Sequence, residues 1–346
     1  MSKIPVDFSS VTTVGLDLAK HVFFIHAVDA QGQVVFAKEV RRRDLLSFFV
    51  SLPPCMVGVE ACSSAHHWAR ELMALGHDVR LMAPAYVKPY VKRQKNDVAD
   101  AAAICEAVTR PSMRFVKVRS IDNQAVLMQH KVREMLVRQR TQILNGLRGH
   151  LAEIGIIAAQ SPIHARALAD LLRNGDVSIP RAVARALLPL VTQLDHIDVE
   201  IKEADAVIAK LAKADPVAAT LMSIPGIGPV TASALVASVG DPSGFSGPRQ
   251  LAAFLGLVPR QNSSGGKPRL GRISKMGNAY LRKLLVVGAH AVLYHRARHT
   301  DPLRCWAQKL METKPSKLVA VAIANKLARI VYAVMMTGTV YRAANA

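Results

Sequence analysis

Three short apolar runs open the chain: VTTVGLDLA, HVFFIHAVD and QVVFAKEV. They are rich in β-branched and aromatic residues and are separated by polar punctuation such as Asp29-Ala30-Gln31-Gly32. That pattern predicts a meander of three strands joined by hairpin turns. RDLLSFFVSL then predicts a short helix ended by Pro53-Pro54, and MVGVEAC a fourth strand. SSAHHWARELMALGH predicts a helix capped by Ser63 or Ser64, and DVRLMAP a fifth strand closed by Pro84. KNDVADAAAICEAVTR predicts a helix stopped at Pro111.

The order β-β-β-α-β-α-β-α implies a mixed sheet covered by helices, the order found in nuclease folds of the ribonuclease-H type. From residue 121 to 157 the apolar spacing becomes helical, with Val126, Gln129, Val132, Leu136, Ile143, Leu147 and Leu151 on one stripe. A second amphipathic stretch covers 181–214. These segments read as a helical spacer, either a coiled coil or an ordinary bundle. A third region starts near residue 216. The apolar run LVAVAIANKLARIVYAVMM, 318–336, is interrupted by Asn325, Lys326 and Arg329, which predicts a packed helix and not a membrane span.

Charge adds what the pattern lacks. The 346 residues carry 45 Lys and Arg against 25 Asp and Glu, a net charge of +20, which implies a polyanionic partner, nucleic acid before a membrane surface. Aromatics make up only 5% of the chain, too few for a protein that reads single strands chiefly by stacking. The four cysteines, at 55, 62, 105 and 305, form no CxxC pair and read as free thiols in a reducing compartment. The polar start predicts no signal peptide.

Against that basic background a few acids stand out. Asp17 ends the first apolar strand and Glu60 is the only charge in the fourth. A charge in such a place is costly unless it is paired or binds metal. Asp97 and Asp100 share one helix face at i, i+3. Four converging carboxylates are what metal-assisted phosphodiester chemistry requires. The ordinary readings are a turn residue for each lone acid and a dipole-matched helix start for the Asp97–Asp100 pair. Lys20, His21, His66 and His67 read as solvated or structural. IPGIGPVTASAL, 224–235, resembles a helix-hairpin-helix, in which Gly226 and Gly228 allow a tight turn close to a phosphate. PRQNSSGGKPRLGRISKMGN, 259–278, reads as a basic loop. It sets Ser263 and Ser264 among Arg260, Lys267, Arg269, Arg272 and Lys275, a nucleophile with cationic clamps or simply a grip on the backbone. GAHAVLYHRARH, up to His299, predicts a packed helix with its histidines turned to solvent or DNA.

The stretches VGLDLAKHVF, GVEACSSAHHWARELMALGHDVRLM, YVKPYVKRQKNDVADAAAICEA, SIPGIGPVTASAL and LGLVPRQNSSGGKPRLGRISKMGNAYLRKLL together resemble the bacterial insertion-sequence transposases of the IS110 family. The likeness is to the IS1111 subgroup, which is related to the Piv DNA invertase, and it spans the chain except 158–213. It implies an α/β RuvC-like (ribonuclease-H-like) N-terminal domain whose DEDD acids fall on Asp17, Glu60, Asp97 and Asp100. It also implies a mainly α C-terminal transposase domain whose serine nucleophile falls on Ser264, with Ser263 adjacent. Further implications are a magnesium or manganese cofactor and a structured guide RNA, the bridge RNA, pairing with donor and target DNA.

The resulting expectation is a recombinase with three parts: 1–118 catalytic, 119–214 helical spacer and 215–346 the serine-bearing transposase domain. It is expected to work as a homodimer or homotetramer in the bacterial cytoplasm at the nucleoid, without membrane contact. The competing readings are a RuvC-like junction resolvase with no covalent intermediate and a non-catalytic nucleic-acid scaffold.

Overall fold

The computed structural model describes residues 7–92, 96–267, 269–298 and 301–343. It divides into two compact units, Met1–Ile121 and Asp122–Ala346. In the first unit the meander forms as the alternation dictates: β1 (Thr13–Asp17), β2 (Val22–Val28) and β3 (Val34–Arg41) pair antiparallel. After α1 (Leu45–Val50), β4 (Met56–Glu60) pairs parallel with β1. After α2 (Ala65–Ala74), β5 (Asp78–Met82) pairs parallel with β4. A helical turn α3 (Pro84–Val87), the helix α4 (Asp97–Val108) and the two-residue strand β6 (Phe115–Val116), antiparallel to β5, complete the unit. The sheet order is β3-β2-β1-β4-β5-β6, a mixed sheet of the kind the element order implied.

Burial follows from position in that sheet. On β2, Phe23, Ile25 and Ala27 are buried in the core with Leu45, Phe49, Trp68 and Leu72 of α1 and α2. The central strands β1 and β4 are buried on both faces, because α4 covers the second one. Two glycines make that cover possible. A Cβ on Gly15 would lie 2.1 Å from the Ala101 carbonyl oxygen, and one on Gly58 would lie 2.8 Å from Cβ of Val108. The helix therefore rests directly on the backbone of β1 and β4.

Two local expectations are corrected. Ser64 does stand at the N-cap of α2, but its backbone is already helical (φ −106°, ψ −3°) and its hydroxyl makes no capping bond. Pro84 does more than close β5: it supplies the pre-set φ of the first turn of α3.

The second unit is helical. Its first three helices, α5 (Ile121–Ala152), α6 (Pro162–Arg173) and α7 (Arg181–Ala214), share a core of Ile143, Leu147, Leu151, Leu168, Leu172 and Leu194 with their neighbours. The ion pairs Arg133–Asp205, Arg140–Asp198, Arg166–Asp198 and Arg173–Asp195 tie them together. The expected stripe fails in the first half of α5, where Gln129 is exposed and Val132 is 45% exposed. The inward position belongs to His130, 1% exposed, which bonds the Tyr280 hydroxyl and the Ser233 hydroxyl, each at 3.1 Å. Burial holds its pKa down at about 4, a neutral ring at physiological pH.

A second core joins α8 (Pro216–Leu221), α9 (Pro229–Val239) and α10 (Pro248–Phe254). After the ribbon β7 (Pro259–Gln261) and β8 (Leu270–Ile273), it continues through α11 (Ala279–Tyr294), α12 (Pro302–Met311) and α13 (Ser316–Thr337). By length and composition α13 could cross a membrane. Here Val319, Ile323, Leu327, Val331 and Val334 bury its apolar face in this core, while Lys326 stacks 4.4 Å over the Trp306 ring. On α11, His290 is exposed; His295, just past its end, packs edge-on against Tyr294, and His299 lies outside the described residues.

Candidate active site

Asp17 and Glu60 are the last residues of β1 and β4. The two strands are parallel neighbours with Leu16 opposite Val59, so both carboxylates leave the same end of the sheet on the same face. That is the face α4 covers. Asn96 caps α4, its side-chain oxygen accepting from the Ala99 N–H at 2.7 Å, which starts the helix where its first turn carries Asp97 and Asp100. Carboxylate oxygens of Asp17, Asp97 and Asp100 all lie within 4.8 Å of one another.

The electrostatics agree with that geometry. Burial raises the Asp17 pKa first, and the negative charges of Asp100, Asp97 and Glu60 raise it further, to about 6. Glu60 thus acts on Asp17 through space, although it is not one of the three whose oxygens meet. A helix start alone would explain acids near the dipole. It would not explain three carboxylates from two elements crowding one point. An all-oxygen, all-anionic donor set suits a hard divalent cation, and the raised Asp17 pKa reflects burial first and then a repulsion that such a cation would relieve. The residues present fit a divalent metal. Lys20 and His21 are exposed beyond the end of β1.

In the second unit the Ser-Gly segment is not a loop. β7 and β8 pair antiparallel, and Ser264 bridges Lys267 across Gly265-Gly266, whose φ values are +55° and +73°. Positive φ at both central residues is the geometry of a two-residue hairpin turn that glycines favour. The two serines differ. Ser263 Oγ accepts from the Arg269 N–H at 3.0 Å and is part of the ribbon's framework. The Ser264 hydroxyl has no hydrogen-bond partner among the described residues and stands exposed beside the turn. Arg260, Lys267, Arg269 and Arg272 lie on or beside the two strands, with the Arg260 guanidinium donating to the Ser274 carbonyl, and Lys275 follows β8.

The hairpin between α8 and α9 also has a defined geometry. Gly226 has φ +84°, and a Cβ there would lie 2.6 Å from the Gly288 carbonyl oxygen on α11. Its close approach is therefore to α11 inside the unit. Gly228 is exposed at the N-cap of α9, with open space around it.

Two family models match this chain. Residues 14–156 match a DEDD transposase model of the IS110 type, and residues 218–303 match the model described as "Transposase IS116/IS110/IS902 family". A "Probable family 20 transposase" of Pseudomonas aeruginosa is 46% identical over 335 residues, 96% of this chain and 99% of that protein. The transposase for insertion sequence element IS1111A of Coxiella burnetii is 40% identical, covering 96% of this chain and 92% of its own length. The pilin gene-inverting protein of Moraxella bovis is more distant, 28% identical over 281 residues.

The chain belongs to the IS110 family of transposases.

As an IS110-family transposase it is an enzyme that acts on DNA, cutting and rejoining it, and the DEDD family suggests dependence on a divalent metal. The first matched range holds all four acids with β1 through the end of α5, and the second runs from α8 through the Ser264 ribbon to the start of α12. Two structural details were not legible in the residue pattern. His130 was hidden because a histidine on a helix face carries no local sign of burial. The ribbon was signalled by Gly-Gly between two short segments, but those segments are exposed and lack the apolar alternation that marks a strand.

Proposed function

We propose that this transposase mobilises an insertion sequence through a metal-dependent site of Asp17, Glu60, Asp97 and Asp100 together with a serine nucleophile, Ser264. The observation that carries the reading is the meeting of Asp17, Asp97 and Asp100 oxygens within 4.8 Å. Asp17, Asp97 and Asp100 would hold the ion directly and Glu60 would complete the set from β4. A bound magnesium or manganese ion supplies charge neutralisation at the scissile phosphate and stabilisation of the leaving oxygen.

The chain's own residues do the rest. Ser264 Oγ forms a bond to phosphorus while the bond from phosphorus to one deoxyribose oxygen breaks. Serine gives up one proton and the departing oxygen gains one as a hydroxyl. Attack of a different DNA hydroxyl on the phosphoserine reverses the step and rejoins the strand. Arg260, Lys267, Arg269, Arg272 and Lys275 hold the phosphate backbone around the ribbon, and Gly228 offers the α9 N-terminus to a further phosphate. The exposed, unbonded Ser264 hydroxyl supports it over Ser263 as nucleophile.

The helices of 119–214 serve as the spacer between catalytic and serine-bearing parts, and the active enzyme is a homodimer or homotetramer. Its partners are donor and target DNA and a structured guide RNA. The net charge of +20 supports a protein that holds two polyanions. The decisive experiment is denaturant trapping of a protein–DNA adduct: wild type forms it, Ser264→Ala does not, and Ser263→Ala still does. An adduct that survives Ser264→Ala, or strand cleavage at full rate in that variant, removes the covalent reading and leaves a water-mediated nuclease. Sequencing the RNA that copurifies tests the guide: a single structured species encoded beside the gene is the expected result.

A further inference from the structure

Beside the acids, on the same face of the sheet, lies an open groove of about 300 Å³ between α4 and the β2–β3 pair. Its position follows from register. Asp17 on β1 faces Phe24 on β2, which faces Glu39 on β3, so these three side chains form one row across the sheet. The next row is Gly15, His26 and Ala37. Val98, 50% exposed and lying between Asp97 and Asp100 on α4, walls the groove from above. The groove begins at Phe24, the cross-strand neighbour of Asp17.

Its chemistry is specific. Phe24 offers an aromatic surface, and Val98 and Ala37 offer apolar sides. His26 Nδ1 is buried with no hydrogen-bond partner among the described residues. Burial lowers the His26 pKa, so the ring is neutral and carries one donor and one acceptor nitrogen. Glu39 adds a carboxylate acceptor at the exposed end. Lys38 also lines the groove, but its ammonium lies 3.6 Å from the centroid of the Phe48 ring. A flat, neutral heterocycle with hydrogen-bonding edges fits both the walls and the volume, which is at the lower end of the roughly 300–1,000 Å³ of ligand sites.

The geometry points to a nucleobase subsite: Phe24, His26, Glu39 and Val98 receive one unstacked base of the DNA strand adjacent to the scissile phosphate. The reading rests on the acids being the metal site, because the groove begins at Phe24, the cross-strand neighbour of Asp17. Phe24 takes the face of the base, His26 bonds its edge, and Glu39 accepts from an exocyclic amino group. The subsite therefore prefers adenine, cytosine or guanine over thymine. It positions the phosphate by fixing its neighbour.

An abasic scan tests this. The full-length protein, with its copurified RNA and magnesium, is given DNA spanning the element's junction with a single abasic site placed at each position near the cut. The expected result is one position within about two nucleotides of the cut where base removal lowers the wild-type cleavage rate about tenfold. Phe24→Ala and His26→Ala should lose a similar factor on intact DNA and lose nothing further at that position, while responding like wild type elsewhere. His26→Gln, which keeps a hydrogen-bonding edge, should recover part of the rate and guards against a folding defect, as does an unchanged melting temperature. Uniform insensitivity of wild type to base removal, or losses from Phe24→Ala and the abasic site that multiply in full, overturns the subsite. Asp100→Asn runs beside it: cleavage persisting in that variant would discard the metal reading, whereas the double-loss pattern alone judges the groove.

Discussion

Asp17 holds an unfavourable charge in a place the fold does not relieve by itself. Its pKa rises from the ordinary carboxylate value of 3.8 to about 6 through burial and three neighbouring acids. A raised carboxylate pKa means that the folded state binds the proton more tightly than the unfolded one. The associated stability is fully present below about pH 4 and is lost as pH climbs through 6. At pH 8 the metal-free protein therefore carries a penalty, about 1–2 kcal/mol after allowing for the solvent-exposed part of the group. Asp17→Asn is expected to raise the melting temperature in EDTA at pH 8, to lose that advantage near pH 4, and to be inactive in strand cleavage. A variant no more stable than wild type at pH 8 would show that the acids do not repel one another as described. Manganese affinity of wild type should likewise weaken as pH falls below 6, since Asp17 must release its proton to bind.

Among the single elements, two short backbone features set the positions of the acids and of Ser264. α4 brings Asp97 and Asp100 to Asp17 because Gly15 lets it lie against β1. Gly15→Ala would place a methyl 2.1 Å from the Ala101 carbonyl oxygen and 2.5 Å from the Cys105 nitrogen. Both are backbone atoms, so the helix itself must shift. The expected cost is about 2–3 kcal/mol of stability, together with a large loss of metal affinity although no carboxylate has changed. Chemical denaturation and manganese titration read the two effects. In the ribbon, Gly265-Gly266 keeps Ser264 beside the turn. Gly266→Val places a β-branched side chain where φ is +73° and should abolish adduct formation. Gly266→Asn, tolerant of that region, should retain much of it. Because the ribbon is exposed, neither should move the melting temperature far, and a large drop would mean the ribbon supports the core.

For the molecule as a whole, charge is the governing quantity. A surplus of twenty positive charges predicts nucleic-acid affinity dominated by counterion release. If six to ten phosphates are neutralised, binding to duplex DNA of arbitrary sequence should fall by about 10³–10⁵ between 50 and 200 mM salt. Asp17→Asn should leave that slope unchanged, whereas replacing Arg260, Arg269 and Arg272 by Gln should flatten it by roughly one unit for each phosphate no longer neutralised. Filter-binding titrations across salt concentration provide the measurement, and an unaltered slope in the triple variant would take the ribbon out of the DNA interface.

Local periodicity and isolated anomalies of charge carry a large part of this protein's description. The β-β-β-α-β-α-β-α order, the long helix at 181–214 and the two acids at the ends of apolar strands are all legible in the residues, because each depends on neighbours a few positions away. Folding alone determines which face α4 covers, that Gly15 and Gly58 are the reason, and that His130 and not Val132 turns inward on α5. The pairing of β7 with β8 likewise turns a basic loop into a ribbon and separates a framework serine from an unengaged one. These features depend on residues brought together across the chain, up to 150 positions apart for His130 and Tyr280, where complementary shape and a distant hydroxyl or backbone atom determine the outcome.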